Sequence, residues 1–207
     1  MTIVSEMERQ RVAEAITQAE RQTSGEIVAV IAGESASYAY VPFMWAAIVA
    51  LAVPFPFIFF TWWPIQHIYG LQLVVFALLV VMLMYRPLRL ALVPGAIKRQ
   101  RAHRRAVEQF LAQNLHTTPN RTGVLIFVSV AERFAEIIAD AGINQKVADG
   151  TWQRIIDALT KSIGEGAAVD GFVQAIAAVG QELARHFPPG SHDPAAFANH
   201  LIVLPSD

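Results

Sequence analysis

An uncharged stretch decides the fold of this 207-residue chain, reading VPFMWAAIVALAVPFPFIFFTWW at residues 41–63 and IYGLQLVVFALLVVMLMY at residues 68–85. Residues 35–85 contain no Asp, Glu, Lys or Arg. As helices, the two runs would be about 34 Å and about 27 Å long, at about 1.5 Å per residue. The first length exceeds the roughly 30 Å thickness of the hydrocarbon core of a bilayer, and the second comes close to it. The stretch therefore predicts two membrane-spanning helices.

The linker between the two runs, residues 64–67, is too short for a domain, so the runs should form a helical hairpin. Pro54 and Pro56 fall inside the first run and predict a kink or a break in its helix. These prolines leave open a second interpretation, a re-entrant hairpin that enters the membrane and returns. In a spanning hairpin the segments before residue 41 and after residue 85 lie on the same side of the membrane.

The composition excludes several classes of protein. Hydrophobic residues make up 54% of the chain and charged residues 16%, against about 25% charged in an ordinary soluble domain. A purely soluble protein is therefore excluded. The chain has no cysteine, which excludes a disulfide scaffold, a thiolate zinc site and a cysteine nucleophile. Residues 1–24 are highly charged and lack the apolar core of a cleavable secretory signal.

Basic residues concentrate directly after the second apolar run, with no acidic residue among them. They are Arg86, Arg89, Lys98, Arg99, Arg101, Arg104 and Arg105. The linker between the apolar runs has no Lys or Arg, so the positive-inside rule places both flanks in the cytoplasm. A basic helix beside a membrane attracts anionic lipid headgroups by about 1 kcal/mol per residue. Aromatic stacking groups for nucleic acid are not evident nearby, so we expect a lipid surface and no nucleic-acid partner.

The remaining sequence alternates between helix and strand patterns. Ser5 and Glu8 form a capping-box pattern before a helix with Val12 and Ile16 on its apolar face. Residues 26–31 predict a short buried strand, residues 123–130 a second and residues 200–204 a last one. Residues 134–141 suit a strand or a helix.

Three further helices are expected after the hairpin. The first covers residues 96–115, with Val107, Phe110 and Leu111 as its apolar face. The other two are predicted by apolar stripes of helical spacing. Their members are Val147, Trp152, Ile155, Ile156, Leu159 and Ile163 in one, and Phe172, Val173, Ile176, Val179 and Leu183 in the other.

Strands mixed with amphipathic helices indicate a layered α/β domain. Its first helix and strand precede the hairpin and the rest follows it. We therefore expect a discontinuous α/β domain at residues 1–40 and 96–207, a transmembrane hairpin at residues 41–86 and a basic juxtamembrane segment at residues 87–105.

Chemistry-bearing motifs are scarce in this chain. The six histidines are scattered without the spacing of a metal site, and no phosphate-binding glycine loop or GxSxG elbow occurs. Carboxylates are the remaining candidates for a functional site. Glu26 opens the first strand, and Asp140 and Asp149 flank a turn at a strand end. Strand ends gather ligands in α/β sheets, and oxygen ligands suit calcium or magnesium. Asp149 also suits the ordinary role of a helix N-cap.

Four segments resemble the TPM domain family. They are TSGEIVAV at residues 23–30, TGVLIFVS at 122–129, AER at 131–133 and IIADAGI at 137–143. The family includes a thylakoid-lumen acid phosphatase, a photosystem II repair factor, a modulator of acetylcholine-receptor channels and many bacterial membrane proteins. The resemblance covers residues 5–186 approximately. It implies an α/β/α sandwich around a small mixed sheet, here interrupted by the two-helix transmembrane hairpin.

The resemblance also implies a divalent-metal site, which some relatives have near a Gly-Tyr-Gly turn followed by an aspartate. Here the turn reads Asp140-Ala-Gly142 without the aromatic residue, and Asp149 occupies the later acidic position. Thr122 stands where relatives often have an acidic or amide residue. The implied metal ligands are Glu26, Asp140 and Asp149, with calcium or magnesium as the ion.

The favoured function is an integral protein of the bacterial inner membrane whose TPM-like domain faces the cytoplasm. The domain would be a non-catalytic module for the assembly or maintenance of membrane protein complexes. The alternative is a weak divalent-metal-dependent acid phosphatase. A transporter is disfavoured because His67 is the one ionisable side chain that could mark a pathway in the hairpin. The expected partners are other membrane proteins or a second copy, through the small residues Ala46, Ala47 and Ala50.

Overall fold

The computed structural model describes residues 5–189 and 201–204 of the chain. They divide into an α/β unit, drawn from residues 1–36 and 99–207, and a helical unit, residues 37–98. The residues of the expected basic segment 87–105 fall in two helices, Arg86–Ala91 (α5) and Gly95–Ala112 (α6).

A four-stranded mixed sheet forms the centre of the α/β unit. Its strands are Glu26–Ala32 (β1), Gly123–Ser129 (β2), Phe134–Ala139 (β3) and Ile202–Leu204 (β4), in the order β3-β2-β1-β4. β2 and β4 run parallel to β1, and β3 runs antiparallel to β2. The predicted strands are confirmed, and the segment after residue 134 is a strand rather than a helix. Residue 200, part of the expected last strand, lies outside the described residues.

Helices cover both faces of this sheet. On one face Glu6–Glu20 (α1), Thr151–Gly164 (α8) and Ala168–His186 (α9) pack on inward side chains such as Ile27 and Ala29. On the other face α6 packs on Val28 and Val30. β1 is buried on both sides, as expected for a parallel strand between helical layers. The expected α/β/α sandwich is therefore confirmed.

The predicted N-terminal cap of α1 is present. The Glu8 amide donates to the Ser5 hydroxyl at 3.3 Å, and the Ser5 amide donates to Glu8 Oε2 at 2.7 Å. Two backbone donors at the helix start are thereby satisfied.

The apolar face predicted for α6 is partly wrong. Ala102, Ala106 and Phe110 are buried, whereas Leu111 is 50% exposed. The buried residues are four apart, and two of them are alanines, so this helix can approach the sheet closely. The prediction assigned the buried face to the larger apolar residues, whereas a close approach to the sheet requires small ones.

The stripes predicted for the last two helices are largely confirmed. Leu159 of α8 is buried, as are Phe172 and Leu183 of α9. Val147 is also buried, but it precedes α8 rather than lying in it. A short helix, Ala141–Asn144 (α7), stands between β3 and α8.

The helical unit is built from the uncharged stretch. The first run forms Tyr40–Ala52 (α2) and Pro54–Phe60 (α3), and the second forms Ile65–Leu83 (α4). The helix is interrupted at Val53, directly before Pro54, so the predicted interruption is confirmed. α2 and α4 contact each other and form a helical hairpin.

The hairpin helices are long and apolar enough to cross a membrane. The segments Tyr40–Phe60 and Ile65–Leu83 qualify by length and composition, and only 11% and 6% of their most apolar windows are buried. Side chains such as Phe59, Phe60 and Trp62 are more than 70% exposed. These helices are therefore unlike the core helices of a water-soluble domain, which bury an apolar face.

The small residues considered for self-association are mostly covered within this chain. Ala46 is 0% and Ala50 is 4% exposed, and Ala47 is half-buried. Ala46 and Ala50 thus pack within this chain, and self-association of the hairpin through this face stays a prediction.

Alanine at Gly123 tests the packing of β2. A Cβ at this position would lie 2.4 Å from the Leu115 carbonyl oxygen, so backbone must shift. We expect Gly123→Ala to lower the free energy of unfolding by about 1–3 kcal/mol, measured by urea denaturation of the detergent-solubilised protein. Gly164→Ala is the matched control, because nothing lies within 4 Å of its added Cβ. Equal urea midpoints for the two variants would contradict the prediction.

Candidate functional site

Two of the predicted metal ligands lie in one row across the sheet. Glu26 of β1 is opposite Gly123 of β2, and the Asp140 amide after β3 donates to the Gly123 carbonyl at 3.0 Å. Two strand spacings, about 10 Å, therefore separate the backbones of Glu26 and Asp140. This row is at the amino ends of the parallel strands, not at the carboxyl ends where such sheets gather ligands.

Glu26 has a carboxyl neighbour that sequence reasoning missed. Glu20, the last residue of α1, is 4% exposed and its Oε1 accepts from the Ile27 amide at 2.9 Å. The Glu20 side chain also interacts with that of Glu26 and lowers its pKa slightly. In the sequence Glu20 looks like one more charge on the polar face of a helix. Only the folding of α1 back onto β1 turns it into a buried partner.

Burial controls the protonation of this carboxyl pair. Burial raises the pKa of Glu26 above its ordinary value of 4.5, and the hydrogen bond from Glu20 lowers it by less. Burial thus favours the protonated, neutral form of the Glu26 carboxyl group in the folded protein.

Asp140 is the N-cap of the short helix α7. Its Oδ1 accepts from the Ala141 amide at 2.6 Å and lies 3.5 Å from Arg121 Nη1. Its Oδ2 is buried without a hydrogen-bond donor among the described residues. Gly142 allows α7 to approach the preceding turn, since an added Cβ would lie 2.3 Å from the Asn120 carbonyl oxygen.

Asp149 is not the N-cap of α8, and it belongs to no group of metal-ligating side chains among the described residues. It is exposed in the turn before α8, and the N-cap of α8 is Gly150, in a left-handed conformation with φ of 78°. The expectation that Asp149 caps this helix is therefore wrong. A left-handed residue at that position favours glycine.

The three carboxylates do not assemble into a metal centre in this conformation. Among residues 5–189 and 201–204, no three His, Asp or Glu side chains lie close enough to hold a metal ion. A calcium or magnesium site formed by Glu26, Asp140 and Asp149 stays a prediction. His103 instead contacts Glu136 at 2.9 Å, and His186 lies 3.6 Å from Glu182.

A groove between α8 and α9 has a volume of about 420 Å³. Its lining mixes the apolar Ile155 and Ala178 with the polar Gln174 and Gln181. Arg154 and Arg185 also line it. Ligand pockets usually measure about 300–1,000 Å³ and combine apolar walls with a few polar groups. The groove has the size and composition of a binding surface.

The carboxyl pair predicts a pH dependence of stability. A raised pKa means that the folded protein holds the Glu26 proton more tightly than the unfolded chain. This contribution favours folding at low pH and is lost as pH rises from 4.5 through the folded-state pKa. We expect Glu26→Gln to flatten the decline in urea midpoint above pH 4.5.

The control for this measurement is Glu14→Gln, on an exposed position of α1. It should leave the pH profile as it is in the parent protein. An unchanged profile in Glu26→Gln would contradict the role of the pair.

Comparisons with known proteins indicate which family this chain resembles. Residues 87–182 match the model of the TPM domain, a narrower range than the resemblance at residues 5–186. The chain is also similar to the NMR structure of the BA42 protein from the psychrophilic bacterium Bizionia argentinensis. That similarity has a TM-score of 0.61 and 20% identity, over 97% of this chain and 95% of that chain. At this identity the likeness shows the fold alone.

No curated protein matches the chain. The matched range begins after the apolar hairpin and contains α6, β2, β3, α7, α8 and most of α9. The resemblance found in the sequence is therefore confirmed over residues 87–182, the part of this protein that matches the TPM domain.

Proposed function

We propose that this protein is a membrane-anchored TPM module that helps to assemble or maintain membrane protein complexes. Its hairpin lies in the inner membrane of a bacterium, and its α/β unit faces the cytoplasm. The observation that carries the proposal is an exposed apolar hairpin inserted between β1 and β2 of a compact α/β unit.

The exposed surface of the hairpin supports the membrane anchor. Soluble proteins rarely expose contiguous apolar patches larger than a few hundred Å². Here apolar side chains are exposed along both helices, from Phe43 and Leu51 in α2 to Leu78 and Val81 in α4. Trp62 and Trp63 lie at the tip, where indole rings favour the membrane interface. Lipid is the partner that such a surface fits.

Charge supports the cytoplasmic orientation. The tip between α3 and α4 carries no Lys or Arg, whereas the segment after α4 carries seven basic residues before Glu108. Cytoplasmic flanks carry such an excess of basic residues. A basic segment beside a membrane attracts anionic headgroups, so an anionic lipid surface is the first partner that we propose.

The groove between α8 and α9 supports a binding role for the α/β unit. It lies on the helical layer formed by α1, α8 and α9. Arg154 and Arg185 offer guanidinium donors to an acidic partner, beside apolar walls. The partners we propose are other membrane proteins, a second copy being one of them.

A weak divalent-metal-dependent acid phosphatase is the second candidate. One observation favours it: Glu26 Oε2 and Asp140 Oδ2 are buried oxygens without a hydrogen-bond donor among the described residues. Both belong to the row at the amino ends of the parallel strands, with two strand spacings between them, and carboxylate oxygens are the ligands of calcium and magnesium.

Topology is the first test of the anchor. A reporter that distinguishes cytoplasm from periplasm, fused after Asp207, should report cytoplasm because the basic segment holds that flank inside. The same reporter inserted between Trp63 and Pro64 should report periplasm. A periplasmic signal after Asp207 would contradict the orientation, and a cytoplasmic signal at both positions would identify a re-entrant hairpin.

The binding role is tested by native gels of membranes from cells with and without the protein. We expect at least one membrane complex to lose abundance or mass when the protein is deleted. The double variant Arg154→Gln and Arg185→Gln should reproduce that loss, whereas Asp157→Asn, on the exposed surface of α8, should not. Unchanged complexes in the deletion strain would contradict the binding role.

The phosphatase candidate is tested with a soluble phosphoester and added calcium or magnesium. Hydrolysis that requires the metal and falls at least tenfold in Asp140→Asn is the expected result for an enzyme. Asp149→Asn tests the third ligand in the same assay. An absence of hydrolysis in the parent protein would exclude this candidate.

A further inference from the structure

A second cavity of the α/β unit lies at the carboxyl ends of the parallel strands. It opens where β2 ends at Ser129 and β3 begins at Phe134, beside the last turn of α8. β1 ends in the same row, since Ala32 is opposite Ser129. The cavity has a volume of about 390 Å³, within the usual range of about 300–1,000 Å³ for ligand pockets. Open α/β sheets bind ligands at this end of their parallel strands.

The walls of this cavity are mainly apolar. Four of its lining residues are Val128, Val130, Phe134 and Ile163. Val128 is 2% exposed, whereas Val130 is 43% exposed. The lining therefore extends from the core of the α/β unit to its surface, and it fits an apolar group that enters from water.

Arg133 is the one charged residue in the lining, among the residues that the structure describes. Its side chain is exposed and forms no hydrogen bond or ion pair within that part of the chain. Arg105 and Arg121, in contrast, each lie within 3.5 Å of a carboxylate oxygen. A guanidinium group has five N–H donors and no acceptor. Arg133 can thus offer its donors to an anionic ligand.

The carboxylates close to cavity residues in the sequence do not line the cavity. Glu132 accepts from the Ser35 amide at 3.0 Å and from the Ser129 hydroxyl. Asp157 accepts from an amide side chain of its own helix at 2.8 Å. Glu165 is exposed after the end of α8. The charge of the lining itself is therefore positive.

The hydroxyl groups of the lining are engaged within the protein. Ser129 is fully buried and donates to Glu132. The Thr160 hydroxyl donates to the Ile156 carbonyl at 2.6 Å. Arg133 is therefore the group on which recognition of a charged ligand depends.

The backbone at Arg133 has a left-handed conformation, with φ of 51°. The Arg133 amide closes a tight turn by donating to the Val130 carbonyl at 3.2 Å. Glycine adopts this conformation at lower cost than other residues. Residues in such conformations concentrate at functional sites. The turn thus holds the arginine at the cavity at a conformational cost.

We propose that this cavity binds a medium-chain fatty acid. Its carboxylate would pair with the Arg133 guanidinium, which matches the two oxygens in a bidentate geometry. Its alkyl chain would lie against the apolar walls, where each buried methylene group adds to the affinity. A neutral ligand would leave Arg133 unpaired, and a dianion would carry more charge than one guanidinium group balances.

The membrane is the source of fatty acid that the chain favours, and this clause rests on the proposed membrane anchor. The carboxyl end of a polypeptide with an apolar last residue offers similar chemistry. Binding of such a peptide is therefore included as an outcome of the test.

The test uses the full-length protein in phosphatidylcholine nanodiscs, with octanoate titrated by calorimetry. Empty nanodiscs serve as the blank for partitioning into lipid. Octanol is the neutral probe of the same chain length. The test variant is Arg133→Gln. The matched control is Lys161→Gln, which removes the same charge from an exposed position beside Thr160 that does not line the cavity.

A third variant, Gly164→Leu, tests the apolar part of the cavity. Gly164 lines the cavity, and nothing lies within 4 Å of a Cβ added there. Leucine also has a higher helix propensity than glycine, so the variant should fold. Urea midpoints equal to or above that of the parent protein would check this for all three variants.

We expect the parent protein to bind octanoate at least about tenfold more tightly than octanol, because hydrogen bonds to charged groups are strong. Arg133→Gln should abolish this difference, whereas Lys161→Gln should change octanoate affinity less than about twofold. Gly164→Leu should weaken the binding of both probes at least about threefold, since its side chain takes space in the cavity.

Equal affinity of the parent protein for octanoate and octanol would overturn the proposal, as would equal weakening in Arg133→Gln and Lys161→Gln. Octanoate binding no greater than that of empty nanodiscs would also overturn it, and so would unchanged binding in Gly164→Leu. Binding of a short acetylated peptide that ends in leucine, without binding of octanoate, would overturn the fatty acid as the ligand. Topology is measured in cells and binding in nanodiscs, so failure of the proposed orientation and failure of this site are separate results.

Discussion

The pairing of β1 with β2 is the interaction on which the rest of this structure depends. The two strands run parallel and in register over seven residue pairs, from Glu26 with Gly123 to Ala32 with Ser129. The chain that joins them includes the whole helical unit, residues 37–98. Loop-closure entropy grows slowly with loop length, by about 0.6 kcal/mol per doubling. A long insertion between the strands is therefore compatible with a stable sheet.

A helical hairpin makes this insertion easier, because α2 and α4 lie against each other. Such an element returns the chain to the region where it left, whatever the length of its helices. Both the strand pairing and the hairpin thus require that the residues before and after the insertion remain close together. In a membrane the same requirement keeps both flanks on one side.

Charge is distributed in the α/β unit according to burial. At the start of β1, partial burial raises the pKa of Glu26, so ionisation of this carboxyl group is costly. On α6, in contrast, the arginines stay accessible, and Arg104 is 81% exposed. Glu26 therefore makes stability depend on pH, whereas Arg104 and Arg105 form ion pairs with Glu108 near the surface.

Much of the fold follows from local patterns. The cap at Ser5, the strand at Glu26–Ala32 and the break before Pro54 each depend on residues close together in the sequence, and each is predictable for that reason. The apolar face of α6 was less predictable, because the close approach to the sheet selects Ala102 and Ala106 over the larger Leu111. The distance between a helix and the sheet depends on the side chains of both, so the sequence of the helix alone does not determine it.

The candidate sites also differ in how far the sequence alone predicts them. The sequence by itself determined the apolar hairpin and the basic segment, because hydropathy and charge act through composition and need no partner. Only the tertiary structure decided that Glu20 lies beside Glu26. It also decided that Glu26 and Asp140 are two strands apart. These relations depend on strand register and helix packing, which join residues far apart in the chain.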